Sequence, residues 1–304
     1  MINFLQYRKF CFAFSFGLML LGLLFYFHRG FVFGIDFTGG TEARVRFENP
    51  VDISRVRSAI ERSLLWKEFA VQAVDGDRDF VVRITDTSSS VESSIQTVFT
   101  ESFSQDNPFK ITSIEFVGPE AGAEVCYDAL VGILLMLLFL ALYIAWRQNF
   151  AYAIGATVAL AHDALVVLVY YLVTGEKMTL AVLMGVLAIL GYSLNDTIVI
   201  FSRIQENYKL LRKDSFESVV NMSINSTMTR TLLTSFTTLV SALSMYFIGG
   251  AALRDFSVTM VIGIIFGTYS SIYLASPVMM FIHERFGQKN QVASADKPFG
   301  KKSY

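Results

Sequence analysis

The chain has 304 residues, of which 53% are hydrophobic and 17% charged, with 28 phenylalanines and a net charge of −1. Its mean hydropathy is +0.49. Those proportions exclude a disordered chain, collagen and a coiled coil, and they point to a multi-spanning membrane protein rather than a soluble enzyme. Cys11 and Cys126 fall in apolar or boundary positions and imply no disulfide framework.

Six apolar stretches are long enough to cross a bilayer as helices: 10–27, 126–146, 151–173, 180–201, 231–248 and 256–282. The first follows Arg8 and Lys9 but continues into Tyr26–Arg29 without a small-residue cleavage site, so a retained helix is expected rather than a signal peptide.

The excursion between the first two stretches reads as alternating strand and helix. Thr41–Glu48 alternates, with Ala43, Val45 and Phe47 on one face. Asp52 can cap a helix over 53–65, where Ile53, Val56, Ile60 and Leu64 recur at helical spacing. Phe69–Val74 and Phe80–Ile84 are strands joined by the Asp75–Asp79 turn. Thr87–Ser90 opens a second helix with Val91, Ile95, Val98 and Phe103 on its apolar side, and Lys110–Val117 is the last strand. The order βαββαβ is the ferredoxin-like split unit. No metal-ligand cluster, nucleophile set or phosphate loop stands out, which favours a binding or force-bearing module over an enzyme. Just before it, Gly34, Asp36, Gly39 and Gly40 in the string GIDFTGGT predict a stiff structural elbow.

Lys and Arg near the helix ends set orientation. Arg8, Lys9, Arg147, Arg203, Lys209, Arg212, Lys213, Arg285, Lys289, Lys297, Lys301 and Lys302 share one side, expected to be cytoplasmic. Residues 31–125 carry 9 Lys/Arg against 16 Asp/Glu, a net of −7, on the opposite side. The expected division is therefore 1–28 for the cytoplasmic N-terminus and first helix, 29–125 for a periplasmic domain, 126–285 for helices two to six, and 286–304 for a cytoplasmic tail. Between helices four and five, Phe216, Val219, Val220 and Ser223 suggest an amphipathic helix lying on the membrane.

Ionisable groups inside a bilayer cost several kcal/mol and require a partner or a water path. His162 and Asp163 lie near the middle of the third helix, Asn195 and Asp196 in the fourth, and Arg230 begins the fifth. On helical geometry Asp196 and Arg230 can meet in the cytoplasmic half of the bundle. One reading is a relay in which Asp196 gains and loses a proton under the bias of Arg230 and Asp163; the other is a static ion pair holding two helices together. His162 in such a place is more often a helix-packing or interfacial hydrogen-bond donor than a relay member, and Asn195 can be interhelical glue. Gly263, Gly267, Ser271 and Ala275 recur every four residues as a close-packing face, and Ala181 and Gly185 share that spacing. Pro277 predicts a kink or end to the packed part of the sixth helix.

Gly34–Thr41 (GIDFTGGT), Gly191–Asn207 (GYSLNDTIVIFSRIQEN) and Thr229–Thr238 (TRTLLTSFTT) closely resemble the SecF family of protein-export subunits, within the resistance–nodulation–division superfamily. Ala161–Asp163 (AHD), Gly263–Ala275 (GIIFGTYSSIYLA) and the layout of one helix, an external domain and five helices fit the same family over residues 3–285. The elbow string alone would also suit SecD. The resemblance implies a SecD partner, as a separate chain or a fused half, and work with the SecYEG translocon on a translocating preprotein, with SecA and YajC in the wider complex. It implies a bacterial inner-membrane location, no nucleic acid, no ATP site, and no cofactor beyond protons as the coupling ion. Asp196 and Arg230 match the family's proton-pathway positions. A small-molecule exporter of the same superfamily and a non-transporting scaffold are the alternatives.

Overall fold

The structure, a computed structural model, describes residues 2–66, 69–86, 91–103, 106–211 and 214–295. Among the described residues six helices are long and apolar enough to cross a membrane: Phe4–His28, Glu120–Arg147, Phe150–Thr174, Leu180–Leu210, Phe216–Ile248 and Leu253–Arg285. The chain divides into two compact units.

The first unit holds Met1–Phe31, Gly132–Glu176 and Ala181–Tyr304. Its helices are α1 (Arg8–His28), the greater part of α5 (Pro119–Arg147), α6 (Phe150–Thr174), α7 (Leu180–Leu210), α8 (Phe216–Ile248), α9 (Gly250–Ser270) and α10 (Ser276–Ala295). Their ends carry local signals. Asn149 caps α6 by accepting the N–H groups of Ala151 and Tyr152 at 3.1 and 3.3 Å. Gly175 closes the same helix at φ +69°, the left-handed conformation that glycine adopts without a Cβ penalty. Only Gly249 separates α8 from α9.

Small residues let these helices interlock. A Cβ on Gly263 would lie 2.0 Å from Ile189 Cδ1, and one on Gly155 would lie 2.6 Å from the Ala275 carbonyl. The N-terminal residues are also held: Asn221 and Asn225 of α8 accept the N–H groups of Phe4 and Ile2, each at 2.9 Å.

Two sequence expectations need correction. The segment from Phe216 is not a separate surface helix; it is the first two turns of the 33-residue α8, and Ser215 caps it through the Ser218 N–H. Buried Val219, Val220, Ser223 and Ile224 give that segment its amphipathic pattern, because one face packs inside the bundle. Pro277 does not end the last helix either. A π-turn, Ser271–Ala275, precedes it, and the helix resumes through Ala295. The Ser276 hydroxyl donates to the Ser271 carbonyl at 3.1 Å, bonding an acceptor beside the altered ladder. Thr87–Ser90, Arg212, Lys213, Lys297, Lys301 and Lys302 lie outside the described residues.

The second unit holds Val32–Val131 and Lys177–Leu180. Strands β2 (Gly40–Phe47), β3 (Phe69–Asp75), β4 (Asp79–Ile84) and β5 (Phe109–Val117) form an antiparallel sheet in the order β3-β4-β2-β5. Helices α3 (Ile53–Ser63) and α4 (Val91–Phe103) complete the expected βαββαβ order. The alternation of Ala43, Val45 and Phe47 puts all three in the core with Val56, Ile60, Ile95, Val98 and Phe103. Phe47 is its aromatic centre, 4.9 Å from Phe103 and 5.7 Å from Phe80 between ring centroids. A residue so enclosed contributes roughly 1.5–3 kcal/mol by burial.

The unit also contains a feature absent from the sequence reading. Two-residue strands β1 (Val32–Phe33) and β6 (Lys177–Met178) pair in parallel, and between β1 and β2 lies the single turn α2 (Ile35–Thr38).

Candidate functional site

Among the described residues the membrane unit buries two carboxylates, and hydroxyl side chains approach both. Asp163 on α6 is 0% exposed. Its Oδ2 accepts the Ser193 hydroxyl of α7 at 2.6 Å and the Ser270 hydroxyl of α9 at 2.9 Å. Its Oδ1 lies 3.3 Å from His162 Nδ1. Glycine makes room for the cluster: a Cβ on Gly267 would sit 3.1 Å from Ser193 Cβ and 3.6 Å from Asp163 Oδ2.

Asp196 lies three residues beyond Ser193 on the same helix and is 3% exposed. The Ser235 hydroxyl of α8 approaches its Oδ2 at 3.5 Å. Ser235 is itself 2.7 Å from the Thr268 hydroxyl of α9 and accepts from the Tyr192 hydroxyl at 3.1 Å. Helix α7 thus serves both carboxylates, and α9 supplies Ser270 beside one and Thr268 beside the other.

Arg230 departs from expectation. It is exposed on α8, and among the described residues it forms no ion pair with Asp196, although its charge reaches that carboxylate over a longer gap. Both side chains are on the predicted helices, but Arg230 points outward while Asp196 points inward. Asn195 is likewise exposed on α7, turned away from the partners of its neighbour Asp196.

His162 is buried, and its Nε2 has no hydrogen-bond partner among the described residues. Its ring lies 6.2 Å from that of Tyr269, whose hydroxyl donates to the Cys11 carbonyl at 2.7 Å.

The four elbow residues belong to the second unit. Gly34 donates its N–H to the Met178 carbonyl at 2.7 Å. The Asp36 carboxylate accepts the Leu180 N–H at 2.8 Å. Gly39 and Gly40 have φ of +73° and +125°, and a Cβ on Gly40 would lie 2.8 Å from the Ile84 carbonyl.

Sequence reasoning missed Ser193, Thr268 and Ser270. The signal was there: Ser193 precedes Asp196 by three residues, and both Thr268 and Ser270 sit within the small-residue run of the last helix. That run read as packing alone, because a membrane-helix hydroxyl more often bonds its own backbone. Thr268, Ser270 and Ser271 do make such bonds, to Ile264, Gly267 and Thr268. Chemically, the arrangement offers two enclosed carboxylates, each able to carry or release a proton, bordered by hydroxyls that both donate and accept.

The family described as protein export membrane protein SecD/SecF, C-terminal, matches residues 97–285, and the SecD/SecF GG motif matches 27–51. The protein translocase subunit SecF of Pseudomonas aeruginosa is 36% identical over 285 residues, covering 93% of this chain and 92% of that one. The subunit of the same name from Desulfurispirillum indicum is 36% identical over 304 residues, covering 98% and 96%. In the crystal structure of SecDF, a translocon-associated membrane protein from Thermus thermophilus, the match has a TM-score of 0.85 at 34% identity, covering 93% of this chain and 39% of that longer chain. A second SecDF crystal structure, in a super-membrane-facing form, matches with a TM-score of 0.69 at 34% identity, covering 97% of this chain and 40% of that one. With a family match over most of its membrane region and relatives of like length along nearly its whole extent, the chain belongs to the SecF family of protein translocase subunits.

Proposed function

We propose that this chain is the SecF subunit of the Sec translocase accessory complex in the bacterial inner membrane, and that it uses the proton-motive force to promote preprotein translocation. In this reading Asp196 is the group that gains and loses the proton, with Asp163, His162 and Arg230 biasing it. The supporting observation is the setting of Asp196: a buried carboxylate with no ion-pair partner among the described residues, approached by hydroxyls of α8, Ser235 at 3.5 Å and its neighbour Thr234. A static pair with Arg230 would require the two side chains to meet, and in this conformation they do not. The Thr268–Ser235 contact gives the site neutral hydroxyls that can reorient without carrying net charge.

The acidic excursion and the basic ends of the helices support cytoplasmic termini and a periplasmic domain. The partner is a SecD chain or half, since the chain spans only 39% of the matched SecDF chain. The SecYEG channel and a translocating preprotein complete the assembly, with protons as the coupling ion and no enzymatic step.

The test is Asp196→Asn in vesicles containing SecD and SecYEG. Gradient-stimulated export and proton flux should both be lost while insertion and assembly persist. Unchanged export under an imposed proton gradient would overturn the reading, and failure of assembly would favour a scaffold.

A further inference from the structure

Asp36 reaches 144 residues along the chain to bond the first residue of α7. Leu180 begins the same continuous helix that carries Ser193 and Asp196. The first N–H groups of any helix lack intrahelical acceptors, and that end of the helix carries partial positive charge. A carboxylate oxygen at 2.8 Å answers both needs.

The residues around Asp36 leave it little freedom to move. On one side, β1 pairs with β6 at Val32–Lys177 and Phe33–Met178, and the Gly34 N–H extends that ladder. A Cβ on Gly34 would lie 3.0 Å from the Met178 carbonyl, so the two segments are in close backbone contact. On the other side, the Thr38 hydroxyl bonds the Gly34 carbonyl at 3.1 Å and tightens the turn. β2, a central strand of the external sheet, starts at Gly40, only four residues beyond Asp36.

We propose that Asp36 is a positioning residue for export: it caps the helix that carries Asp196 and fastens that helix end to the strand leading into the external domain. An axial or rotational shift of α7 then has a short, hydrogen-bonded route to β2, and tension on β2 has the same route back. The export readout rests on the function proposed above; the exchange readout is independent of it.

The test uses the full chain assembled with its SecD partner and four variants. Asp36→Ala removes the acceptor, whereas Asp36→Asn and Asp36→Ser keep one. Leu180→Pro removes the donor instead, at the first helical position, where proline is tolerated. Hydrogen exchange in the peptide covering 179–184 should accelerate roughly fivefold in Asp36→Ala and stay near native in Asp36→Asn, in line with the cost of losing an N-cap. Gradient-driven export should fall by a similar factor in Asp36→Ala and Leu180→Pro, and Asp36→Asn should restore it.

Native exchange in Asp36→Ala, native export in Leu180→Pro, or an Asp36→Asn variant as impaired as Asp36→Ala would each overturn the proposal. Should Asp36→Ala fail to insert, the comparison of Leu180→Pro with Asp36→Asn decides. If the native chain shows no gradient-driven export, the proposed function fails, and the exchange result alone decides the role of Asp36.

Discussion

Ser193 donates to the same Asp163 oxygen that also accepts Ser270, so one buried atom joins three membrane helices. A carboxylate in that position is as much a packing element as an ionisable one. Its two donors back each other up, because either alone still leaves the oxygen bonded.

Ser193→Ala alone should therefore cost only about 0.5–1.5 kcal/mol, the usual net worth of one hydrogen bond, and Ser270→Ala a similar amount. The double variant should exceed the sum of the two by roughly 0.5 kcal/mol or more, because only then does the oxygen stand bare. Unfolding of the four proteins in nanodiscs measures the cycle. Strict additivity would show that the two hydroxyls act independently.

Arg230 gives the opposite expectation. Removing one partner of a buried ion pair typically costs 3–5 kcal/mol. Because Arg230 is exposed and does not pair with Asp196, Arg230→Gln should change unfolding free energy by less than about 1 kcal/mol, as for an exposed charge. Any larger effect on export than on stability would then place the role of Arg230 in transport. A loss of several kcal/mol in the same melts would instead reveal a structural pair.

Gly263 faces the whole side chain of Ile189, with three of its carbons within 2.6 Å of where a Cβ would stand. Gly263→Ala should destabilise by about 1–3 kcal/mol, as overpacking does in a close-packed core. Ile189→Ala alone should cost about 2–5 kcal/mol, and in that background, with the space opened, Gly263→Ala should cost little further. If Gly263→Ala alone is neutral in the same assay, α7 and α9 adjust more freely than their contact suggests.

The βαββαβ domain should carry a small acid-sensitive contribution at Asp52. Hydrogen bonds from the Ser54 hydroxyl and N–H hold this carboxyl below its ordinary range. A carboxyl depressed in the folded state stabilises above its unfolded pKa of about 3.9, and the contribution is lost as pH falls through the lower folded value. Emission from Trp66, buried in this domain, can follow urea unfolding between pH 5 and pH 2 in a Trp146→Phe background. Asp52→Asn keeps a capping oxygen and should flatten that pH dependence. An unchanged acid slope would assign it to other carboxylates.

Much of the fold was legible in local pattern. Period-two alternation in Thr41–Glu48 and helical spacing in 53–65 correspond to β2 and α3, and apolar length alone identifies the six membrane helices. What sequence could not show was what depends on contacts distant along the chain. The pairing of β1 with β6 involves two residues on each strand, too few to leave a periodic trace. The Ser193–Asp163 bond looks like any small polar residue near an acid until α6 and α7 are packed side by side. The expected meeting of Asp196 with Arg230 failed for a related reason. Axial rise gives depth in the membrane, but not which way each side chain faces around its helix.

The π-turn at Ser271–Ala275 has a bearing on how the last helix is indexed. Such a turn accommodates one residue more than an α-turn, and each residue advances a helix by about 100°. Deleting any one of the first four of those residues would restore an ordinary α-helical ladder. Yet it would rotate α10 against α9, sending Ala275 and Met279 away from Gly155 while Ser270 stayed on Asp163. The number of residues in this short segment, more than the identity of any one, keeps the two ends of the last helix in phase with their different neighbours.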